Sequence, residues 1–144
     1  MMMAINRTGQ KGLTLIEILV VVAILGLLAA LVVPNVIGRG EQARVDIARA
    51  NLQSIANALD MYRMDNGRYP TTEEGLEALV EEPQSARNWN PEGYLSEVPR
   101  DPWGNEYRYI SPGRDGPFDL YSLGADGSEG GEGYDAEISY RDSR

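Results

Sequence analysis

Residues 11–33 read KGLTLIEILVVVAILGLLAALVV, and the architecture of the chain turns on this stretch. From residue 13 to residue 33 it holds 21 residues with one charge, Glu17. As a helix it spans ~31 Å at about 1.5 Å per residue, the thickness of a bilayer hydrocarbon core. On its N-terminal side, residues 1–12 carry Arg7 and Lys11 and no acid, a sum of +2. On its C-terminal side, from Pro34 onward, 11 arginines face 21 acids, a net of −10. The pattern is a basic leader, an apolar span and an acidic body. By the positive-inside tendency the leader stays cytoplasmic and the body lies outside. A secretory signal peptide has a shorter apolar region, roughly 7–15 residues, although Leu28-Ala29-Ala30 mimics its cleavage site. A plain membrane anchor accounts for everything except Glu17.

An acid inside an apolar span costs of the order of 2.5–3.5 kcal/mol on insertion scales, less toward an end, so it needs a partner. No basic residue lies in the span. A cut after Gly12 would give Leu13 a new α-amine, with a reference pKa of roughly 7.7–8, four residues from Glu17. A carboxylate is also favoured at a helix N-terminus by the macrodipole. The amine of a neighbouring copy would serve equally well.

Beyond Pro34, Val45, Ala48, Leu52, Ile55, Leu59 and Tyr62 recur at spacings of 3 and 4, an apolar stripe along one helix face. Asn66-Gly67 supplies a stop. The spacing predicts one long helix over 13–65, its second half packed on a globular body, with Pro34 weakening or kinking it. A coiled-coil seam is the other reading of the stripe. Thr71-Thr72-Glu73-Glu74 reads as a capping box for a short helix through Val80. Residues 106–110 and 118–123 read as strands around a dense turn at 111–117, and 138–140 as a possible last strand. Trp103, Tyr107, Tyr109 and Tyr121 read as core and cross-strand packing residues; a ligand-stacking platform is the alternative. The predicted class is α+β, a long N-terminal helix packed on a small antiparallel sheet.

Composition narrows the chemistry. The chain has 144 residues, a formal net charge of −9, no cysteine and no histidine. Disulfides, thiolate metal sites and cysteine nucleophiles are excluded, and the commonest general base is missing. The acidity argues against a nucleic-acid partner. Residues 124–137, GADGSEGGEGYDAE, mix glycines and carboxylates in a way that packs no core, so something should pin them down. Calcium fits, since it takes 6–8 oxygen ligands and glycines let the backbone wrap it. An EF-hand count from Asp126 places Gly131 at 6 and Glu137 at 12, but position 5 is Gly130 and no flanking helices are expected. Residues 130–135 match the start of one calcium β-roll repeat, and a single copy cannot stack. A solvated acidic turn is the plain alternative.

Lys11-Gly12 followed by Leu13-Thr14-Leu15-Ile16-Glu17 resembles the processing site of type IV prepilins and type II secretion pseudopilins. The resemblance implies cleavage between Gly12 and Leu13 by a prepilin peptidase, with N-methylation of Leu13; the family's usual phenylalanine there is replaced. It implies that Glu17 contacts a neighbouring subunit's amine during assembly and that Pro34 is the family's helix-weakening proline. Residues 66–76, 101–105 and 118–127 further resemble the major pseudopilin of type II secretion, as does the lack of the cysteines that adhesive pilins use. That resemblance implies a structural subunit, not an enzyme. Its expected domains are a leader over 1–12, a transmembrane and filament-core helix over 13–33, an amphipathic helix over 34–65 and a periplasmic domain over 66–144. Its expected partners are further copies in a homopolymer, minor pseudopilins and an inner-membrane assembly platform. The expected setting is the bacterial inner membrane, crossed once, with the C-terminal domain in the periplasm. An adhesion or motility pilin is the alternative, and a membrane-anchored calcium-dependent enzyme a further one. The resemblance also implies structural calcium in the 123–138 loop. Its ligands would be the side chains of Asp126, Ser128 and Asp135 and the carbonyl of Leu123, with Glu132 and the carbonyl of Ile138 as further candidates.

Overall fold

The computed structural model describes Gly9 and residues 12–143, with the side chains of residues 32–37 and 143 outside that description. Helix α1, Leu15–Asn66, passes through both of the chain's compact units, Met1–Arg39 and Gly40–Arg144. Its first turn carries a reciprocal cap. The Thr14 N–H donates to Glu17 Oε2 at 2.8 Å, and the Glu17 N–H donates to Thr14 Oγ1 at 3.3 Å. Two of the N–H groups that a helix start leaves without intrahelical partners are thereby satisfied. At the other end the Gly67 N–H donates to Arg63 O at 2.8 Å, with Gly67 at φ 77°. That left-handed conformation is the one in which a C-terminal glycine costs least. Helix α1 thus ends one residue beyond the predicted stop and begins two residues after the predicted start.

In the first unit every described apolar side chain from Leu13 to Leu31 is exposed. Among the described residues no helix is long and apolar enough to cross a membrane. The described side chains of the apolar run stop at residue 31, and Val32, Val33 and Pro34 lie beyond them. The expectation of a kink at Pro34 therefore rests on a side chain outside the described residues, while the helical assignment continues through it.

The second unit is built on the apolar stripe. Ala48, Leu52, Ile55, Leu59 and Tyr62 are fully buried, and Val45 nearly so. Against this face pack Leu76 and Leu79 of a 3-10 turn (Leu76–Leu79) and the inward residues of a three-stranded sheet. Its strands β1 (Arg108–Ile110), β2 (Asp119–Ser122) and β3 (Ile138–Ser139) are antiparallel in the order β1-β2-β3. Tyr109 and Leu120 face each other across β1 and β2 and both point into the core. The chain's one phenylalanine, Phe118, gathers the aromatic core. Its ring centroid lies 4.9 Å from that of Tyr69 and 5.0 Å from that of Tyr140, with Tyr109 at 5.9 Å. Burial of Tyr107 and Tyr109 pushes both phenols up to about 12, because their charged forms would lose water.

Three local expectations are corrected. The capping box at 71–74 forms, with the Thr71 N–H on Glu74 Oε2 at 2.8 Å and the Glu74 N–H on Thr71 Oγ1 at 3.2 Å. No α-helix follows it, because Gly75 (φ 63°, ψ −167°) leaves the helical region after one turn and a 3-10 turn takes over. The strands are shorter than predicted. Residue 106 enters only as an isolated bridge, Arg100 to Glu106, residue 107 lies outside the strand, and residue 140 opens a 3-10 turn, Tyr140–Ser143. Tyr121 is on the outer face of the sheet, opposite Arg108 and Ser139, because period-2 alternation puts its neighbours Leu120 and Ser122 inside.

The segment between residues 80 and 107 has no regular elements and is held by side chains. Buried Asn66 uses its whole amide: Nδ2 donates to Tyr62 O and Tyr94 Oη, both at 3.1 Å. Its Oδ1 accepts from the Arg87 and Asn88 N–H groups at 3.1 and 3.0 Å. Arg68 reaches Glu74 with two nitrogens, at 2.9 and 2.8 Å, and Ser85 donates to the same carboxylate. The Arg68 hydrogen bonds, with Ser85 and the Thr71 N–H, hold the Glu74 carboxyl down to about 2.

Candidate functional site

Two places carry the residues that the sequence singled out. At the N-terminus, Gly12 and Leu13 are exposed and non-helical, immediately before α1. A Cβ placed on Gly12 would meet nothing within 4 Å. Among the described residues no packing requires glycine there. Glu17 is exposed and caps its own helix through Thr14. The carboxylate that looked unpartnered in the sequence thus has a neutral partner three residues away. The Thr14-x-x-Glu17 pattern was visible in the sequence as a capping box, but the weight given to Glu17 as a charge in an apolar span hid it.

The second place is the glycine-acid loop. Strands β2 and β3 bring its ends together through the Ser122 and Ile138 pairing. The Ala125 N–H donates to Tyr134 O at 2.9 Å, which closes the base. Asp126 lies one residue beyond this bond on the loop side, and Asp135 one residue beyond it on the side of β3. Gly124, at φ 81°, presses on the opposite branch so closely that a Cβ there would lie 2.6 Å from Ala136 O. Gly131, at φ 98°, is equally tight against Asp135 O. The loop therefore folds back on itself with glycine where any side chain would clash. Asp126 Oδ1 accepts from the Ser128 N–H at 3.0 Å, and Glu137 Oε1 accepts from the Gly130 N–H at 3.3 Å. Ser128 and Glu132 lie farther out and are exposed; Leu123 and Ile138 sit buried at the two strand ends.

The donor set tests well against a hard cation in kind. It is all oxygen, and it sits in a backbone cradle shaped by glycines. Among the described residues no three acidic side chains converge on one point, so carboxylates alone do not make the site. Any ion held here would need main-chain carbonyls beside the carboxylates.

Two residues outside the predicted set support this loop. Asp101 is 4% exposed and Ser122 is fully buried. Ser122 Oγ–H donates to Asp101 Oδ2 at 2.8 Å, and Asp101 Oδ1 accepts from the Trp103 and Asn105 N–H groups at 3.1 and 2.8 Å. Asp101 stands in the quoted run Asp101-Pro102-Trp103-Gly104-Asn105, but Ser122 alternates in β2 like any strand residue. Only pairing across the fold distinguishes it.

A long helix with an apolar N-terminal part, its second half laid on a small antiparallel sheet, defines a pilin-like protein. The comparisons agree on which kind. The family model described as type II secretion system protein G matches residues 35–141, and a prokaryotic N-terminal methylation motif matches residues 7–33. The type II secretion system core protein G of Pseudomonas aeruginosa is 57% identical over 141 residues, covering 96% of this chain and 99% of that protein. The protein of the same name from Vibrio cholerae is 53% identical over 131 residues, covering 90% of each. In structure, the chain matches the major pseudopilin from the type 2 secretion system of enterohaemorrhagic Escherichia coli. The TM-score is 0.65 at 41% identity, over 75% of this chain and 95% of that one. This chain belongs to the type II secretion system protein G family. It is a structural pseudopilin subunit of the pseudopilus and not an enzyme. With its methylation motif it is a membrane-anchored, periplasmic protein that prepilin peptidase processes.

Proposed function

We propose that the peptidase cuts this chain between Gly12 and Leu13, that Leu13 is N-methylated, and that residues 13–33 cross the inner membrane once before they enter the filament core. The observation that carries this reading is the first unit's surface, where apolar side chains are exposed from Leu13 to Leu31 and lie on every side of the helix once it begins at Leu15. A helix apolar all round has no stable place in water; it needs lipid or other helices. In the membrane lipid supplies that cover, and in the homopolymer further copies do. Minor pseudopilins and an inner-membrane assembly platform complete the partners. Open, non-helical backbone at Gly12 gives a peptidase access to the cleavage site.

After cleavage Glu17 exchanges its neutral Thr14 partner for the charged Leu13 amine of a neighbouring subunit. A charge-assisted bond in a low-dielectric filament core is worth more than a neutral one. Glu17→Ala is expected to be processed normally and to give little pseudopilus. Immunoblots for the processed form, alongside filament yield by electron microscopy, check this. A normal yield of filaments from the processed variant would sink the pairing role.

The 123–138 loop is proposed to hold structural calcium through Asp126, Ser128, Asp135 and the Leu123 carbonyl, with Glu132 and the Ile138 carbonyl completing the set in part. When bound, the ion supplies a charge that ties the two branches of the loop together. Calcium titration of the full-length chain in detergent micelles, by calorimetry and by thermal melts against chelator, tests it. One saturable site that raises the midpoint, lost in Asp126→Ala and in Asp135→Ala, is expected. At about 100 times Kd the stabilisation should reach about 2.7 kcal/mol. A midpoint indifferent to calcium would remove the clamp and leave the family assignment untouched.

A further inference from the structure

Ser122 is fully buried, and its hydroxyl stands between a carboxylate and a backbone amide. It donates to Asp101 Oδ2 at 2.8 Å and accepts from the Gly124 N–H at 3.2 Å. Asp101 is itself fixed, because its other oxygen takes the Trp103 and Asn105 N–H groups. The hydroxyl has one proton, and Asp101 as a carboxylate can only accept, so the proton points toward Asp101. The lone pairs of Ser122 Oγ are thereby turned toward Gly124.

The Gly124 N–H belongs to the same peptide unit as the Leu123 carbonyl. That peptide is trans and planar, so its C=O points opposite to its N–H. Whatever orients the Gly124 N–H therefore aims the Leu123 carbonyl. Gly124 itself cannot be replaced as the hinge of this plane, since a Cβ would run into Ala136 O and the Asp135 backbone. The Asp101-to-Asn105 turn also braces the next part of the loop, where a Cβ on Gly127 would lie 3.0 Å from Asn105 Nδ2.

We propose that Asp101 and Ser122 are positioning residues that preset the 123–124 peptide plane, so that the Leu123 carbonyl is held ready for the cation before it arrives. This rests on the calcium reading above and deepens it. Neither residue touches the ion. Their part is to lower the ordering cost of one main-chain ligand, as groups behind metal ligands commonly do.

The test uses the full-length chain in detergent micelles with calcium as the probe. Ser122→Ala is expected to weaken calcium binding by about tenfold or more. Ser122→Thr, which keeps the hydroxyl, is expected to restore affinity to within about threefold of the parent, well short of the loss in Ser122→Ala. A merely structural role predicts a different outcome. A variant that only destabilises the fold melts lower by the same amount in calcium and in chelator, with Kd unchanged. The proposal requires the calcium-dependent increment itself to shrink. Amide hydrogen exchange on the parent protein needs no variant: Gly124 should be protected in chelator as well as in calcium, whereas the loop amides beyond it gain protection only with the ion. Parent affinity in Ser122→Ala alongside loss in Asp126→Ala would overturn the proposal and leave the calcium site standing. An unprotected Gly124 amide in chelator would overturn it as well. No calcium binding by the parent protein would remove the calcium reading and this proposal together.

Discussion

The two halves of helix α1 solve opposite problems with the same backbone. Between residues 45 and 62 apolar residues recur at 3 and 4, and most positions on the opposite face are polar, Ile47 and Met61 excepted, so one face is buried and the other is wet. Between residues 15 and 31 there is no polar face; Leu19 is 59% exposed and Leu27 70%. The first pattern can be satisfied inside one chain by a sheet and a 3-10 turn. The second cannot be satisfied by any single face, and it needs an environment that is apolar all round. One helix thus carries a folding element and an assembly element, separated only by the period of their side chains.

Substitutions of the same chemistry in the two halves should separate these roles. Leu52→Ala in the fully buried stripe is expected to cost about 2–5 kcal/mol of unfolding free energy, measured by denaturant titration. Leu19→Ala should leave that unfolding curve unchanged and lower the yield of polymer. Comparable destabilisation from both would break the distinction between the halves.

A smaller effect is expected where α1 ends. Asn66→Ala strips the side-chain partner from two backbone N–H groups, at Arg87 and Asn88, and takes one of three hydrogen bonds from Tyr94 Oη. Part-buried groups left in this way cost about 1 kcal/mol each, and hydrogen exchange should show the 85–95 segment opening before the core. Uniform exchange across the second unit would mean that Asn66 is not what pins that segment.

The smallest effect is the one that pH reveals. Glu74 is held at about 2 in the folded chain against a reference of 4.5. Its folded pKa is depressed, so its stabilisation is present above about 4.5 and is lost as the pH falls toward 2. Glu74→Gln should melt several degrees below the parent at pH 7, and the two melting curves should converge between pH 4.5 and pH 2. A gap that persists at pH 2 would place the effect in packing rather than in the Arg68 ion pair.

Much of this was legible in the residues. The stripe from Val45 to Tyr62, the Asn66-Gly67 stop and the turn at 111–117 are local patterns, and local patterns survive into the fold. The loop at 123–138 was legible from its density of glycines as a place where backbone must bend, and Gly124 and Gly131 do sit where a side chain would collide. The short helix expected after Thr71 is present only as the 3-10 turn Leu76–Leu79, because the positive φ of Gly75 ends the first turn. Tyr121 failed on face assignment, since an aromatic in a short strand carries no sign of which side is buried.

The sequence by itself determined the period of each helical half, the absence of cysteine and histidine, and the oxygen-rich chemistry of the loop, because these depend on residue type and spacing alone. Only the tertiary structure decided that Asp101 and Ser122 meet behind that loop and that Asn66 holds four groups at once. Contacts between residues 20 or more apart depend on how strands register and turns close, and a buried polar group reveals its use only when its partners are in place.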